Sequence, residues 1–408
     1  FTTEVRLEDV PAGSELALLL AEVPGLRLRD SGGAGGRKGV SLRGTDSQQT
    51  AVYLDGFRLS SPGGGAVDLS LLDPGHLERI QIRRGGGSAR FGAAALGGAL
   101  LLHTPRLRLR QRSRASLSFG SWNTLGARVA HGGSYRGLRF LASGAYRRGD
   151  GDFTALDDNR RPRTRINNDF QLGEGLLKAD LMAAGRWRLG LLERVAAGER
   201  GAPGVLQSQC ERARQLDVRN LVGLSATRFE TLTEGGKLEL RVHHRLGLFR
   251  FQQPCAFNQP SDTLDQTVGG EARLELPLRP WLRLDGGVEL AGHLMEDRLG
   301  NLGQQPRRFD ADLWAGGVLR LLARRLVLVP TVRVSATTAH GFAAAPRLGL
   351  VARPLGAGDI PWLAPLALVL NGGRSYRYPS FQELYITLDG LQGNPELAPE
   401  DAWEVDAG

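Results

Sequence analysis

The sequence has little cysteine, almost no lysine and no long apolar run. Its 408 residues include 2 cysteines, which excludes a disulfide-stapled scaffold, and neither lies in the CxxC or CxxH spacing of a metal site. No apolar run reaches the roughly eighteen residues of a membrane-spanning helix, so a helical membrane protein is excluded. Lysine occurs only at positions 38, 178 and 237, and arginine carries almost all of the cationic charge behind the net charge of +9. Because the arginines are scattered rather than gathered on one face, we expect no nucleic-acid partner.

Glycine, by contrast, is abundant and punctuates a strand-and-turn pattern. The 56 glycines are about twice the usual share and follow no fixed period. From residue 114 onward, apolar and polar residues alternate between turns, as where Leu117 and Phe119 precede the turn 120–123. This pattern predicts about fourteen strands. The expected hairpins pair 138–148 with 168–181, 186–196 with 213–230, 237–251 with 264–276, 281–295 with 309–320 and 326–337 with 344–353, and segments 363–374 and 402–408 follow.

The connections between these strands alternate in length. The short set is 132–137, 182–185, 231–236, 277–280 and 321–325, and the mostly long, polar set is 149–167, 197–212, 252–263, 296–308 and 375–401. Short turns at one end and long loops at the other are what a transmembrane β-barrel requires. A soluble β-sandwich, which has no reason to sort its loops in this way, is the alternative.

The N-terminal region has a different texture. Residues 14–23 predict one amphipathic helix stopped by Pro24-Gly25. Short strands are expected at 26–29, 40–43, 50–54 and 79–83. We therefore predict an α+β unit over residues 1–105 and a β-barrel portion over residues 106–408.

Both regions contain short sequence motifs. In the first region they are Leu20-x-x-Val23-Pro24-Gly25-Leu26, Gly32-Gly33-x-Gly35, Leu42-Arg43-Gly44, Leu54-Asp55-Gly56, Ile80-x-Ile82-x-Arg84-Gly85, Ser88-Ala89-x-Phe91-Gly92 and Gly97-Gly98. Late in the chain they are Ser375-Tyr376-Arg377-x-Pro379-Ser380-Phe381-x-Glu383-Leu384-Tyr385 and Gly393-Asn394-Pro395-x-Leu397-x-Pro399-Glu400. Each motif is weak alone, but their order and spacing are specific. Together they resemble the motifs of TonB-dependent outer-membrane receptors, in which an N-terminal plug fills the barrel.

The resemblance implies a transmembrane antiparallel β-barrel with an N-terminal α+β plug domain, in the outer membrane of a Gram-negative bacterium. A family barrel has 22 strands, so about fourteen strands imply an incomplete barrel. We accordingly expect sequence to be missing at both ends, including the TonB box that docks to TonB by strand addition. The implied partners are the TonB complex of the inner membrane and outer-membrane lipid, and we expect a monomer. One departure is Gly86-Gly87 after Arg84-Gly85, where the family usually has Pro, which fixes the backbone φ.

The implied activity is TonB-dependent uptake of a scarce, large nutrient; a non-transporting adhesin or docking barrel is the alternative. No catalytic set stands out, because the seven histidines lack carboxylate or cysteine partners at ligand spacing. We expect no enzyme activity and no required cofactor. The segments Arg43-Gly44-Thr45 and Asp68-Leu69-Ser70 are similar to the vitamin B12 (cobalamin) receptor branch. That branch's ligand-contacting positions fall at Ser31, Arg37, Gly39, Asp46, Gly64 and Gly65. Arg37 departs from the branch and suits an anionic ferric siderophore, so both ligands stay open.

Three further residue sets carry predictions. The first is a set of charged plug residues: Arg43, Asp55, Glu78, Arg83 and Arg84. We expect these residues to hold the plug in place through ion pairs with each other and with the barrel wall; the alternative is that they are ordinary surface charges. The second set is in loop 149–167 and contains Asp150, Asp152, Asp157 and Asp158. In the cobalamin branch the corresponding loop is acidic and binds calcium, so the resemblance implies a calcium site at these residues. A solvated loop is favoured there, because four arginines follow at once.

The two cysteines are expected to form a disulfide. Strands 213–230 and 237–251 form a hairpin around the turn Thr233-Glu234-Gly235-Gly236. Pairing outward from that turn brings Cys210 and Cys255 near each other in the long loops. In an oxidising compartment such a pair is expected to be bonded; two unrelated thiols are the alternative.

Overall fold

The described residues form two main sheets of different kinds and three two-stranded hairpins, and the smaller main sheet lies against the inner face of the larger. The computed structural model describes residues 2–7, 10–63, 65–183, 186–255, 260–353, 366–388 and 390–408. The N-terminal unit, called the plug below, contains β1 (Thr2–Arg6), α1 (Leu16–Ala21), β2 (Leu26–Asp30), β3 (Lys38–Leu42), β4 (Thr50–Leu54), β5 (Phe57–Arg58), β6 (Arg79–Arg84), α2 (Ser88–Phe91) and β7 (Gly98–His103), with 3-10 turns at Ser47–Gln49, Leu69–Leu71 and Pro74–His76.

The plug is a five-stranded sheet in the order β1-β6-β7-β4-β5, flanked by the separate hairpin β2–β3. Strands β4 and β7 pair in parallel, and the other neighbours are antiparallel. Ile80 and Ile82 alternate along β6 and are fully buried with Leu100 and Leu102 of β7. The predicted helix and four strands are present, whereas β1, β5, β7 and α2 were not predicted. Strand β7 gives no alternation because it is central and its sequence is nearly all apolar.

Within the described residues, the larger sheet, called the barrel wall, contains fourteen antiparallel strands, as predicted. The elements of this region are β8 (Arg112–Gly120), β9 (Thr124–Tyr135), β10 (Leu138–Gly149), β11 (Thr154–Leu156), β12 (Pro162–Thr164), β13 (Phe170–Ala183), β14 (Trp187–Gly201), β15 (Arg214–Phe229), β16 (Lys237–Gln252), β17 (Ser261–Arg279), β18 (Leu282–Asp297), β19 (Arg307–Leu321), a 3-10 turn (Leu322–Arg324), β20 (Leu326–Thr337), β21 (Gly341–Ala352), β22 (Leu368–Arg377), α3 (Phe381–Tyr385), β23 (Thr387–Leu388), β24 (Leu391–Gln392) and β25 (Glu400–Ala407). Strands β8 and β25 form its two edges, and β11–β12 and β23–β24 are small hairpins within long loops.

Neighbouring wall strands pair in the predicted hairpins, but several run further than predicted. Strand β14 continues to Gly201, which pairs with Arg214, so the predicted loop 197–212 begins later. The extension is stabilised by an ion pair between Glu199 and Arg214 across the two strands. Residues 363–365 of the predicted strand 363–374 lie outside the described residues, and β22 occupies Leu368–Arg377.

The wall strands place polar residues inside and apolar residues outside. On β19, Arg308 and Trp314 are buried, whereas Phe309 and Leu313, on the other face, are 47% and 60% exposed. This period of two is the pattern of a sheet with a polar interior and an apolar outer surface. No helix in the described ranges is both long and apolar enough to cross a membrane.

Candidate functional site

A cavity of about 290 Å³ opens between the plug loops and the wall at the end that carries the long loops. We call it the first cavity. Five of the predicted ligand positions line it together: Ser31, Arg37, Gly39, Asp46 and Gly65. Gly64, the sixth, lies outside the described residues. The other lining residues are Arg29, Lys38, Ser47, Gln48, Gly63, Ala66, Val67, Asp68, Arg219, Phe249, Thr263, Asp265 and Gln382.

Local capping interactions hold the plug side of this cavity. Asp46 begins the turn Ser47–Gln49 with a capping box: its side chain accepts from the backbone N–H of Gln48, and the Gln49 side chain pairs with the Asp46 backbone. Asp68 begins the turn Leu69–Leu71 in a similar way and also accepts from the backbone N–H of Lys38 at 3.0 Å. These contacts connect the β2–β3 hairpin to segment 65–71, so the two loops form one surface.

The charges of the first cavity are largely paired. Asp68 lies 3.0 Å from Arg200 of β14 and 4.0 Å from Arg37. Burial alone would raise the pKa of Asp68, but these two guanidinium groups and the Lys38 N–H outweigh it, and the pKa is lowered. Arg37 also stacks over the Phe249 ring at 5.5 Å and keeps 35% of its side chain exposed. Arg37 is therefore an accessible cation on an otherwise nearly neutral surface.

The wall contributes contacts that the sequence analysis missed. Phe249 of β16 pairs in register with Thr263 of β17, and both line the first cavity with Asp265. Asp265 accepts from Arg219 at 3.0 Å and from the plug residue Ser61 at 2.9 Å. The alternation of β17 does place Thr263 and Asp265 on one face. Only the folded barrel shows which plug loop this face meets.

A folded segment of the loop 378–399 covers part of the first cavity. Helix α3 carries the lining residue Gln382, and the Phe381 N–H donates to the plug carbonyl of Pro62 at 2.9 Å. Arg377 binds Glu383 through two hydrogen bonds of 2.8 Å. It also binds Glu400, which accepts from the plug residue Gln49 at 2.7 Å. The loop and the plug are thus connected through carboxylates.

Protonation of Glu383 is expected to loosen this loop. Burial opposes ionisation, but hydrogen bonds from Arg377 and Ser380 outweigh it and lower the pKa of Glu383 to about 2. A lowered folded-state pKa means that the contribution to stability is present above the ordinary value and is lost as the pH falls through about 2. We expect pepsin to cut at Phe381 or Leu384 at pH near 2 but not near 4, as read by mass spectrometry. The variant Glu383→Gln should be cut at both values; equal protection of the two proteins would contradict this role.

Of the five charged plug residues predicted to hold the plug, two form ion pairs with the wall and three have other partners. Arg43 forms an ion pair with Asp406 of β25, and Asp55 accepts from Lys178 of β13 at 2.8 Å. The bonding of the other three differs from the prediction. Glu78 accepts from the backbone N–H of Arg106, Arg84 donates to the Thr3 hydroxyl and the Pro24 carbonyl, and Arg83 lies over the Phe91 ring. Arg84 and Arg83 are engaged within the plug, so they do not link it to the wall through these contacts.

Wall arginines that bind plug backbone carbonyls form a further set of links between wall and plug. Arg128 of β9 donates to the Val10 carbonyl at 2.8 Å and pairs with Asp73. Arg194 of β14 donates to the Leu71 carbonyl and pairs with Glu174. Further links of this kind are Arg147 to Gly13, Arg241 to Gly56, Arg245 to Arg58 and Ser60, and Arg347 to Gly86. The scattered arginines of the sequence therefore act as inward-facing donors.

The remaining predicted sites lie in the long loops. Asp157 accepts from the backbone N–H of Asn159 and Arg161, and the hydrogen bond from Arg161 lowers its pKa. Asp150 accepts from Asn123. Within the described ranges, no three His, Cys, Asp or Glu side chains are grouped to hold a metal ion. Cys210 and Cys255 form a disulfide with Cα atoms 5.6 Å apart, which joins the loop after β14 to the loop after β16.

Comparisons with known proteins agree with this architecture. The family description "TonB-dependent Receptor Plug Domain" matches residues 2–99. The chain is 28% identical over 174 residues to the vitamin B12 transporter BtuB of Vibrio vulnificus strain CMCP6, which is 42% of this chain and 28% of that protein. It is 30% identical over 114 residues to BtuB of Vibrio cholerae strain M66-2, which is 28% of this chain and 19% of that protein. The matched segments therefore span well under half of these curated relatives.

Solved structures extend the likeness to the whole fold. The siderophore receptor PirA of Acinetobacter baumannii aligns with a TM-score of 0.80 and 14% identity, covering 100% of this chain and 68% of that one. The ferric enterobactin receptor PfeA of Pseudomonas aeruginosa aligns with a TM-score of 0.79 and 14% identity, covering 100% and 69%. Residues 2–99 match the plug of TonB-dependent receptors, the whole chain has the fold of these receptors, with a plug against an antiparallel β-barrel sheet, and it is similar in sequence to the cobalamin receptors.

Proposed function

We propose that this protein takes up a scarce, large nutrient across the outer membrane of a Gram-negative bacterium, driven by the TonB complex. The observation that carries the proposal is the first cavity, where five ligand positions expected from the sequence meet wall residues of β16 and β17 and Gln382 of α3. A concave site with a few polar groups between two structural units is the usual form of a ligand site. The exposed end of the cavity would face the medium.

A cobalamin-like ligand is the first candidate. The lining is rich in glycine and small residues, so backbone groups of the plug loops would contact the ligand. Sequence similarity to the cobalamin receptors supports the same candidate. A ferric siderophore is the second candidate, supported by the accessible guanidinium group of Arg37 beside Phe249. Because the cavity is otherwise close to neutral, one arginine does not decide between them.

Calorimetric titration of the detergent-solubilised protein with cyanocobalamin and with a ferric tricatecholate tests the proposal. We expect one of the two to bind with a dissociation constant of about 1 μM or below, equivalent to about 8 kcal/mol. The variant Arg37→Gln should weaken a ferric tricatecholate by about tenfold and cyanocobalamin by less than about twofold. Failure of both ligands to bind would remove the support for uptake of either class.

A further inference from the structure

Arg245 of β16 is a buried arginine held mainly by the plug backbone. Its guanidinium group donates to the carbonyls of Arg58 and Ser60 and to the Thr267 hydroxyl. The residue is 6% exposed, and its Nε atom has no hydrogen-bond partner among the described residues. No carboxylate of the described residues forms an ion pair with it, unlike the neighbouring Arg241, which pairs with Glu239 and Glu271. The charge of Asp265 acts on Arg245 only from beyond ion-pair distance. A buried cation without a direct ion pair is costly, and an anion in contact with it would stabilise it.

Arg245 also stands between two cavities. It lines a small middle cavity of about 50 Å³, which shares Gly65, Asp68 and Asp265 with the first cavity. On its other side, Arg58 lines a second cavity of about 230 Å³ deeper in the barrel. Strands β16 and β17 line all three cavities, and each cavity also includes plug residues from the range 56–68. The hydrogen bonds from Arg245 to the carbonyls of Arg58 and Ser60 lie between the first cavity and the second.

The lining of the second cavity is mainly cationic. The plug contributes Arg58, Arg83 and Arg90 to its lining, and the wall contributes Arg241, Arg273 and Arg333 against Glu271 and Glu289. Arg58 donates to the Ala93 carbonyl and the Ser60 hydroxyl, and Arg83 has a buried Nε atom without a partner among the described residues. Aromatic rings of Tyr53, Phe57, Phe91 and Trp314 also line this cavity.

We propose that Arg245 is an internal anion site, at which an anionic group of the ligand takes the place of the plug carbonyls of Arg58 and Ser60. The site rests on the proposed uptake function and identifies the side of the plug along which the ligand passes. Charge-assisted hydrogen bonds to a phosphate, carboxylate or catecholate oxygen are stronger than bonds to neutral carbonyls. Occupation of the site therefore releases segment 58–60 from the wall and joins the first cavity to the second.

Hydrogen exchange of segment 57–63 in the detergent-solubilised protein tests the site. Without ligand, Arg245→Gln should raise the exchange rate of this segment by about tenfold or more, because the segment loses its bonds to the wall. In the parent protein, saturating ferric tricatecholate or cyanocobalamin, which carries a phosphodiester, should produce a similar rise. A neutral ferric trihydroxamate, or dicyanocobinamide, which lacks the phosphodiester, should not. In Arg245→Gln the anionic ligands should add nothing, whereas Arg245→Lys should keep the response.

Arg147→Gln is the matched control, because Arg147 also donates to a plug carbonyl, that of Gly13. It should change exchange near residue 13 and leave segment 57–63 as in the parent protein. Equal exchange of the parent and Arg245→Gln without ligand, or a full ligand response in Arg245→Gln, would overturn the site. If neither ligand class binds, the uptake function fails separately, and the ligand-free comparison alone decides the role of Arg245.

Discussion

Replacing Thr263 with tryptophan is expected to weaken ligand binding by about 100-fold or more, or about 2.8 kcal/mol. Thr263 lies on the inner face of β17, is 7% exposed, and lines the first cavity beside Phe249. A tryptophan side chain at this position would occupy space that a ligand needs, and steric exclusion of this kind acts on any large ligand. The measurement is calorimetric titration with the ligand that binds the parent protein.

The matched control for this change is Val268→Trp on the same strand. Val268 is on the opposite face, 64% exposed, so the added ring would point away from the cavity. Its affinity should stay within about twofold of the parent value. Unchanged affinity in Thr263→Trp would show that the ligand does not enter the first cavity.

Removing the carboxylate of Glu174 is expected to cost the attachment of the plug about 3–5 kcal/mol. Glu174 of β13 is buried, pairs with Arg194, accepts the backbone N–H of Asp73 at 2.5 Å, and lies 3.1 Å from His76. The change Glu174→Ala would leave the buried guanidinium group of Arg194 without its counter-charge. The free energy of local opening of segment 70–77, from native-state hydrogen exchange, measures the loss.

Glu199→Ala provides the comparison for Glu174→Ala. Glu199 also pairs with an arginine, Arg214, but its side chain is 54% exposed. Water screens such a pair, so its loss should cost less than about 1 kcal/mol. Similar effects of the two changes would mean that Glu174 makes no special contribution to holding the plug.

The sequence predicted the wall far better than it predicted the contact between wall and plug. Alternating residues such as those of β17 are sufficient to identify a strand and its two faces, because one face meets lipid-like surroundings and the other meets polar groups. Loop boundaries were less accurate where a strand continued through glycine and charged residues, as β14 does to Gly201. Local pattern carries no information about such extensions, since they depend on pairing with the next strand.

For the candidate site, the sequence predicted the plug side of the first cavity but not the wall side. The plug positions of the first cavity followed from resemblance to the cobalamin branch, which is carried by short segments such as Arg43-Gly44-Thr45 and Asp68-Leu69-Ser70. The wall side did not follow, since Arg219, Phe249 and Thr263 belong to strands whose position around the plug is a tertiary property. The same reason explains why Arg245 looked like one more alternating arginine in the sequence.

Docking through main-chain oxygens has an evolutionary consequence. A carbonyl group is present whatever residue carries it, so Val10, Gly13, Arg58, Ser60 and Leu71 of the plug offer acceptors that no side-chain replacement deletes. The side chains of the plug loops can therefore change while the arginines of the surrounding strands continue to bind the same main-chain oxygens. In each contact the wall arginine must be kept, whereas the plug residue that supplies the carbonyl can be replaced.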